Sequence, residues 1–369
     1  MDKELRVIIS GGGTGGHIFP AISIANAIKT KRPDAKILFV GAEGRMEMQR
    51  VPAAGYEIKG LPICGFDRKR LWKNIVVLFK IWKSQRMAKN IIKEFSPMVA
   101  VGVGGYASGP TLNKAAAMNI PCLIQEQNSY AGVTNKLLAK KARKICVAYE
   151  GMERFFPKEK IIMTGNPVRQ SLLEANVSRE DAVKSFGLDS DKKTILIVGG
   201  SLGARTMNES VLKHLDLVEQ SDVQFIWQTG KYYHSSIVES LKDKSLPMLK
   251  VTDFISDMGA AYKAADLVVS RAGASSISEF CLIGKPVILV PSPNVAEDHQ
   301  TKNAMALVNK DAALFVSDAK ASEELLQLAI KTVKDTQQLE SLSNNILKLA
   351  LPNSAEIIAD EVIKLAYGN

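Results

Sequence analysis

Short runs of β-branched and aliphatic residues alternate with longer amphipathic stretches along nearly the whole chain. This alternation is typical of parallel strands joined by crossover helices, and it predicts an α/β protein. The first five predicted strands are residues 5–10, 36–40, 98–103, 121–125 and 144–148. Six more are predicted at residues 193–198, 223–228, 248–251, 267–270, 286–290 and 313–316.

Two prolines and a glycine interrupt this pattern between Phe156-Pro157 and Asn166-Pro167. We therefore predict a first domain at residues 1–165 and a second at residues 166–369. Each begins with a strand, a glycine-rich turn and a helix, so each is predicted to be a doubly wound parallel sheet. Ligands bind outside the carboxyl ends of the strands in such sheets, and we expect the domains to face each other across a cleft.

The turn Gly11–Gly16 satisfies G-x-G-x-x-G, in which glycines let backbone amides approach a phosphate at a helix N-terminus. A glycine turn that serves only packing is the alternative. An NAD-dependent oxidoreductase would need an acidic residue about 20 residues further on. The nearest candidate, Glu43, is 27 residues past Gly16. That reading also leaves three further glycine- or serine-rich turns, at residues 102–110, 199–204 and 270–279, without a role.

Three side chains beside these turns are candidates for chemistry. His17 follows the first turn at a predicted helix N-terminus, where the helix dipole favours the neutral form that a general base needs. Glu126 directly follows a strand and is the competing base, or a residue that orients the acceptor. Glu279 lies about a turn and a half into a helix, where its carboxylate could accept hydrogen bonds from ribose hydroxyls or simply face solvent.

The charge of the chain is divided unequally between its halves. Residues 1–165 carry 27 Lys and Arg against 12 Asp and Glu, whereas residues 166–369 carry 21 against 26. The first half is therefore expected to face something anionic, such as phosphates, an acidic leaflet or nucleic acid. A nucleic-acid-binding module remains an alternative, although the glycine turns argue against it.

Basic and aromatic residues concentrate between Phe66 and Lys93, where nine basic residues stand against one acid, Asp67. On a helical wheel the large apolar side chains cluster on one face with lysines along its border, which is typical of a helix lying on an anionic leaflet. A helix that packs on its own sheet is the alternative. The predicted membrane-facing residues are Leu71, Trp72, Lys73, Ile75, Phe79, Lys80, Trp82 and Lys83.

Neither metal nor export is predicted. Asp189-Ser190-Asp191 matches a metal-binding D-x-D, but it lies at the amino end of a predicted strand, so we interpret it as a solvated turn. The four cysteines are far apart, without a C-x-x-C pair. No signal sequence or spanning segment is recognisable, and we expect a cytosolic protein without a cofactor.

Several motifs in one order across the chain resemble the MurG family of bacterial N-acetylglucosaminyltransferases, in glycosyltransferase family 28. They are Gly11–Ala21, Gly104–Pro110, Glu126–Asn128, Gly165–Arg169, Gly199–Ala204 and Ser270–Gly273. The resemblance implies the GT-B fold of two Rossmann-like domains. It also implies that the last helix, residues 354–367, packs back on the first domain.

The family's reaction moves N-acetylglucosamine (GlcNAc) from UDP-GlcNAc to the 4-hydroxyl of lipid I, N-acetylmuramoyl-pentapeptide on undecaprenyl diphosphate. The product is lipid II, and the reaction inverts the anomeric centre. The resemblance thus implies a peripheral enzyme on the cytoplasmic face of the plasma membrane that works without a metal and has no nucleic-acid partner. It also allows contacts with other proteins of cell-wall synthesis or division. Another GT-B transferase acting on a glycolipid or natural product is the alternative.

Site residues can be carried over by position. The resemblance implies His17 or Glu126 as the base, and Gly13, Gly104, Gly105 and Tyr106 at the acceptor diphosphate. The implied donor contacts are Thr14, Gly15, Gly16, Asn128, Arg169, Ser201, Ile255, Ala274, Ser275, Ser276, Ile277, Ser278, Glu279, Gln300 and Asn303. The sequence departs from some relatives at His299-Gln300 and Thr301-Lys302, on the sugar side of this site.

Overall fold

The computed structural model describes residues 4–64, 74–168 and 177–368. The chain divides into two compact units, the first comprising Met1–Val168 with Leu351–Asn369 and the second Arg169–Ala350. The sequence-based boundary lies three residues earlier, after Gly165. Each unit is a doubly wound parallel sheet, which confirms the predicted fold class.

The first unit is built on seven parallel strands within the described residues. The strands are β1 (Arg6–Ser10), β2 (Lys36–Ala42), β3 (Glu57–Leu61), β4 (Val99–Gly102), β5 (Cys122–Glu126), β6 (Lys144–Val147) and β7 (Ile161–Met163). Their order across the sheet is β3-β2-β1-β4-β5-β6-β7. The helices between them are α1 (Gly15–Lys31), α2 (Glu47–Ala53), α3 (Asn74–Phe95), α4 (Ser108–Ala117) and α5 (Val133–Leu138).

The second unit has six parallel strands within the described residues, in the order β10-β9-β8-β11-β12-β13. They are β8 (Thr194–Val198), β9 (Gln224–Gln228), β10 (Leu249–Thr252), β11 (Leu267–Ser270), β12 (Val287–Leu289) and β13 (Leu314–Phe315). The helices are α6 (Arg179–Ser185), α7 (Arg205–Lys213), α8 (Leu215–Gln220), α9 (His234–Leu241), α10 (Met258–Ala264), α11 (Ala274–Ile283), α12 (His299–Val308), α13 (Ala321–Lys334) and α14 (Thr336–Leu347).

Each face of the first sheet is covered by its own apolar core. On β1, Ile8 contributes to the core that also contains Ile92 and Leu112, from α3 and α4. Its neighbours Val7 and Ile9 contribute to the opposite core, which α1 covers. The last helix, α15 (Ser354–Tyr367), also packs into this second core, so the end of the chain belongs to the first unit. Burial on both faces explains why the central strands read as continuous apolar runs.

A partly buried lysine lies at the amino end of the second sheet, away from its carboxyl edge. Lys285 donates from Nζ to the Ala265 carbonyl oxygen at 2.6 Å. Burial lowers the pKa of its ammonium group from 10.5 to about 8, against the opposing effect of Asp266. Between these two pH values the folded protein has released a proton that the unfolded chain still holds. Stability should therefore rise with pH across that window.

We expect Lys285→Met to remove this pH dependence. Relative to the variant, the wild type should gain about 2–3 kcal/mol of unfolding free energy between pH 8 and pH 10.5. Urea unfolding across that range measures the difference. Lys250→Met, at an exposed strand position, is the matched control and should retain the wild-type slope. Equal slopes for the wild type and Lys285→Met would contradict the expectation.

Candidate functional site

The glycine turns lie at the points where strand order reverses in each sheet. In the first sheet β1 lies between β2 and β4, so the turns after β1 and β4 leave the carboxyl edge side by side. In the second sheet β8 has the same place between β9 and β11. Doubly wound sheets bind ligands in the crevice at this point. The four turns singled out from the sequence are thus two adjacent pairs, one in each unit.

The two turns of the first unit touch through their backbones. A Cβ on Gly105 would lie 2.4 Å from the Gly12 carbonyl oxygen, and Gly105 has a φ of 84°. The Ser108 hydroxyl lies 2.6 Å from the Ser10 carbonyl oxygen and 2.9 Å from that of Gly104, which fixes the second turn to the end of β1. Close packing against Gly12 therefore accounts for glycine at position 105. Its role at a diphosphate stays a prediction.

His17 lies in the first turn of α1, half-buried beside both glycine turns. Its Nδ1 is 3.1 Å from the Thr14 hydroxyl oxygen. A Cβ on Gly104 would lie 2.8 Å from His17 Nε2, so the imidazole packs directly against that glycine. When Nδ1–H donates to Thr14, the lone pair is on Nε2, and this is the tautomer that a general base requires.

The amide of Gly13 already has a partner within the protein. Its N–H donates to Oε2 of Glu47 at 2.8 Å. Glu47 is a residue that sequence reasoning missed, because a lone acid at the start of a short helix carries no motif. The only available signal was its position just beyond the carboxyl end of a buried strand. Gly13 is exposed, but its amide is occupied by a carboxylate, and its role at the acceptor diphosphate stays a prediction.

Glu126 is surrounded by hydrogen-bond donors. Its Oε1 accepts from the backbone and side-chain nitrogens of Asn128, at 3.1 and 3.3 Å. Its Oε2 accepts from the Gly132 amide at 3.0 Å and from Asn135 Nδ2 at 2.9 Å. Burial raises the pKa of the Glu126 carboxyl, while these hydrogen bonds act in the opposite direction. With both oxygens engaged, Glu126 is well placed to hold the segment after β5 and poorly placed to accept a substrate proton.

Buried side-chain amides connect the carboxyl ends of β4, β5 and β7. Gln125 Nε2 donates to Asn166 Oδ1 at 2.9 Å, and Asn166 Nδ2 donates to the Gln127 carbonyl oxygen at 3.0 Å. Gln127 Nε2 in turn donates to the Val103 carbonyl oxygen at 2.8 Å. This chain of bonds fixes Asn128 and the turn after β4 relative to one another. Two residues beside these hydrogen bonds are accessible to solvent. They are the half-exposed Asn128, a predicted donor contact, and the exposed Tyr106, a predicted contact of the acceptor diphosphate.

In the second unit, the turn after β8 packs against the turn after β9. A Cβ on Gly203 would lie 2.2 Å from the Thr229 carbonyl oxygen, and Gly203 has a φ of 88°. Gln228 Nε2 donates to the carbonyl oxygens of Gly200 at 2.9 Å and Asp253 at 3.1 Å. These bonds connect the segments that carry two predicted donor contacts, the exposed Ser201 and the buried Ile255.

The predicted ribose and phosphate helix is α11, which begins after Gly273. Ala274 and Ile277 are buried, whereas Ser275, Ser276 and Ser278 are half-buried. Glu279 is only 4% exposed, and its Oε2 accepts from the Tyr262 hydroxyl at 3.0 Å. The alternative of a solvated helix face is therefore wrong for Glu279. Arg271, just before this helix, forms an ion pair with Asp318 instead of extending from the turn.

The two predicted sugar contacts on α12 have partners within the second unit. Gln300 Oε1 accepts from the Ser292 amide at 2.8 Å. Asn303 is fully buried, and its Nδ2 donates to the Ala272 carbonyl oxygen at 3.4 Å. Both side chains therefore brace the turns beside α11. Arg169 lies outside the described residues.

The D-x-D sequence, Asp189-Ser190-Asp191, lies in a turn before β8. The Asp191 amide donates to Asp189 Oδ1 at 2.9 Å, as in an Asx-turn before β8. Within residues 4–64, 74–168 and 177–368, no group of three His, Cys, Asp or Glu side chains is arranged to hold a metal. The site's described polar groups are backbone amides, hydroxyls, carboxamides, one imidazole and buried carboxylates.

Helix α3 separates into a packed and an exposed side. Val77, Ser84 and Ala88 are buried, whereas Phe79 is 63% and Trp82 58% exposed. The two aromatic rings lie 6.0 Å apart, and the Arg86 guanidinium is 5.9 Å from the Trp82 ring. Among the described residues, no helix combines the length and apolar character needed to cross a bilayer. Leu71, Trp72, Lys73 and the side chain of Ile75 lie outside the described residues.

Two doubly wound units with glycine turns at their switch points define a protein of the GT-B class. Models of one glycosyltransferase family match both units. The glycosyltransferase family 28 N-terminal domain matches residues 7–147, and the glycosyltransferase family 28 C-terminal domain matches residues 194–358.

Relatives that match over nearly the whole chain point to the same family. A Phocaeicola vulgatus protein is 70% identical over 99% of this chain and 98% of its own length, and one from Cytophaga hutchinsonii is 54% identical over 98% and 97%. Both are named UDP-N-acetylglucosamine–N-acetylmuramyl-(pentapeptide) pyrophosphoryl-undecaprenol N-acetylglucosamine transferase. The crystal structure of Acinetobacter baumannii MurG matches with a TM-score of 0.79 at 29% identity, over 98% of this chain and 99% of that one. The chain belongs to glycosyltransferase family 28.

Proposed function

We propose that this protein transfers GlcNAc from UDP-GlcNAc to the 4-hydroxyl of N-acetylmuramoyl-pentapeptide on undecaprenyl diphosphate. The observation that carries the proposal is 70% identity, over nearly the full length of both chains, with relatives named for that reaction. The site supports it, because glycine turns at two switch points suit a donor and an acceptor that both carry a diphosphate.

The proposed reaction is a single displacement with inversion. The acceptor O4 attacks C1 of GlcNAc from the face opposite UDP, and the C1–O bond to the β-phosphate breaks with its electron pair leaving on UDP. The hydroxyl proton passes to Nε2 of His17, while Thr14 holds the imidazole through Nδ1. Glu126 holds Asn128 and the neighbouring loop, so we assign it a positioning role and His17 the role of base.

The donor contacts in this proposal divide between the units. Backbone amides at the start of α11, with Ser201 and Arg169, stabilise the charge that develops on departing UDP. Ile255 lies at the uracil, and Glu279 at the ribose. The remaining proposed donor contacts are Thr14, Gly15, Gly16, Asn128, Ala274, Ser275, Ser276, Ile277, Ser278, Gln300 and Asn303. Gly13, Gly104, Gly105 and Tyr106 form the acceptor-diphosphate side.

Release of UDP tests this assignment. With UDP-GlcNAc we expect release to require a short-chain lipid I analogue and to continue in EDTA. UDP-glucose serves as the control donor and should give much slower release. Release that is independent of the lipid, or equal with both donors, would move the protein to a different transferase within the same fold.

We also propose that the exposed side of α3 rests on the anionic inner leaflet of the plasma membrane, as a peripheral contact that brings the site to a lipid acceptor. Phe79 and Trp82 supply apolar surface. Lys80, Lys83 and Arg86 lie on the same stretch of helix and supply positive charge.

Replacing both Phe79 and Trp82 with serine should weaken binding to phosphatidylglycerol-containing vesicles by at least about tenfold, because each buried aromatic contributes roughly 1.5–3 kcal/mol. Thermal stability should change little, since both rings are exposed. Vesicle co-sedimentation measures the effect, with Val238→Ser on α9 as the control loss of an exposed apolar side chain. Undiminished binding by the double variant would contradict the proposed membrane contact.

A further inference from the structure

Glu47 is buried as deeply as the two carboxylates predicted for the site. Among the described residues, the buried carboxylates are Glu47, Glu126 and Glu279, at 1%, 2% and 4% exposure. All three lie near the glycine turns or the helix at a switch point. Burying an ionised carboxylate is costly unless hydrogen bonds compensate it, so a buried glutamate with a dedicated set of donors calls for an explanation.

The Glu47 carboxylate joins two backbone segments. Oε1 accepts from the Ala42 amide at the end of β2, at 3.0 Å, and Oε2 accepts from the Gly13 amide at 2.8 Å. No ion pair to Glu47 is present within the described residues. Both hydrogen-bond donors to its carboxylate are backbone amides. Through them, Glu47 connects the first glycine turn to the end of β2.

Two glycines provide the space that this side chain occupies. A Cβ on Gly12 would lie 2.2 Å from Cδ of Glu47, and a Cβ on Gly41 would lie 2.6 Å from its Cγ. Gly12 also has a φ of 148°, a conformation that side chains rarely adopt. Gly12 therefore packs closely between the Glu47 carboxylate and the backbone of Gly105.

These contacts continue to the proposed base. Glu47 fixes Gly12 and Gly13, Gly12 packs against Gly105, and the adjacent Gly104 packs against the His17 imidazole. A shift of the first turn would therefore move the surface on which His17 rests. Displacements of about 1 Å in a catalytic arrangement can reduce turnover by about 100-fold.

We propose that Glu47 is a positioning residue for transfer, which holds the first glycine turn and thereby the His17 imidazole in place. This inference rests on the proposed function. Glutamine at position 47 keeps the shape but replaces one acceptor oxygen with an NH₂ group that faces an amide donor. One of the two bonds to Ala42 and Gly13 is therefore lost.

Glu47→Gln should lower kcat by about 10- to 100-fold and leave the Kd for UDP-GlcNAc within about twofold. Amide hydrogen exchange should accelerate at residues 12–14, while protection of β1 and β4 stays at the wild-type level. Glu57→Gln, the same change at an exposed position on β3, should match the wild type in all three measurements. If Glu47→Gln does not fold, Gly41→Ala displaces the same side chain and should lower kcat with a similar change in exchange.

Near-normal kcat in Glu47→Gln overturns the inference. So does a loss of kcat accompanied by weaker donor binding and faster exchange throughout the sheet, because that pattern shows a purely structural role. If the wild type forms no product with UDP-GlcNAc and a lipid I analogue, the proposed function fails. Whether Glu47 positions the first glycine turn is then tested only by amide hydrogen exchange at residues 12–14 in Glu47→Gln. Exchange at the wild-type rate would overturn that inference.

Discussion

Replacing His17 with alanine is expected to lower kcat by about 10²- to 10⁴-fold, the usual contribution of a general base. The acceptor hydroxyl would then lose its proton without an oriented base at Nε2. Donor binding should change little, because most proposed UDP contacts lie in the second unit. The Kd for UDP-GlcNAc, measured by calorimetry, should stay within about twofold.

The control for this variant is His214→Ala. His214 lies in the second unit, where its Nδ1 is 2.9 Å from the Ser210 carbonyl oxygen, and it belongs to neither glycine turn. Turnover of the control should remain near the wild-type value. If His17→Ala also retains near-normal turnover, His17 is not the base, and the buried Glu126 returns as the candidate despite its four hydrogen bonds.

The second large effect is expected at Gly105, where a positive φ and a close backbone contact coincide. Alanine at Gly105 would carry the cost of the left-handed conformation, about 1–2 kcal/mol, and also place a methyl group 2.4 Å from the Gly12 carbonyl oxygen. Because backbone must move to relieve that contact, we expect about 3–5 kcal/mol of destabilisation in total. Turnover should fall as well, since the displaced turn supports His17.

Gly55→Ala separates the two causes. Gly55 has a φ of 85°, close to the 84° of Gly105, but no atom lies within 4 Å of its added Cβ. It should therefore show only the conformational cost, about 1–2 kcal/mol, with normal turnover. Urea unfolding and steady-state kinetics measure both variants. Equal destabilisation by the two would show that the contact between the glycine turns contributes nothing.

The strands predicted from the sequence are buried ones, which appear in the sequence as short runs of apolar residues. All eleven are present within two residues of their expected bounds. The two that were missed lie at opposite edges of the first sheet. In β3, Glu57, Lys59 and Gly60 break the apolar pattern, and β7 has only three residues beside the predicted linker. Edge strands with one solvated side carry too little periodicity to be distinguished from loops.

The helical wheel correctly indicated that α3 is amphipathic, but it did not show which side chains of the apolar face pack on the sheet. It grouped the large apolar side chains on one face, yet Ser84 is buried while Phe79 and Trp82 are exposed. Which part of an amphipathic face meets the sheet depends on its tertiary partners, and the wheel does not contain them.

At the site, motifs identified the turns but not the interactions beneath them. Glycine spacing predicted the turns after β1, β4 and β8, because positive φ and close approach restrict those positions to glycine. It did not reveal that Glu47 occupies the Gly13 amide, or that Tyr262 binds Glu279. These pairs join residues 34 and 17 positions apart, and only the folded sheet brings them together.

The most direct test of the central claim is the structure of the product formed from UDP-GlcNAc and a short-chain lipid I analogue. Mass spectrometry should show the addition of one N-acetylhexosamine to the lipid, and NMR should show a β-configured linkage to O4 of the muramoyl sugar. An α linkage, attachment elsewhere, or a UDP-sugar altered without transfer to the lipid would contradict inverting transfer by this protein.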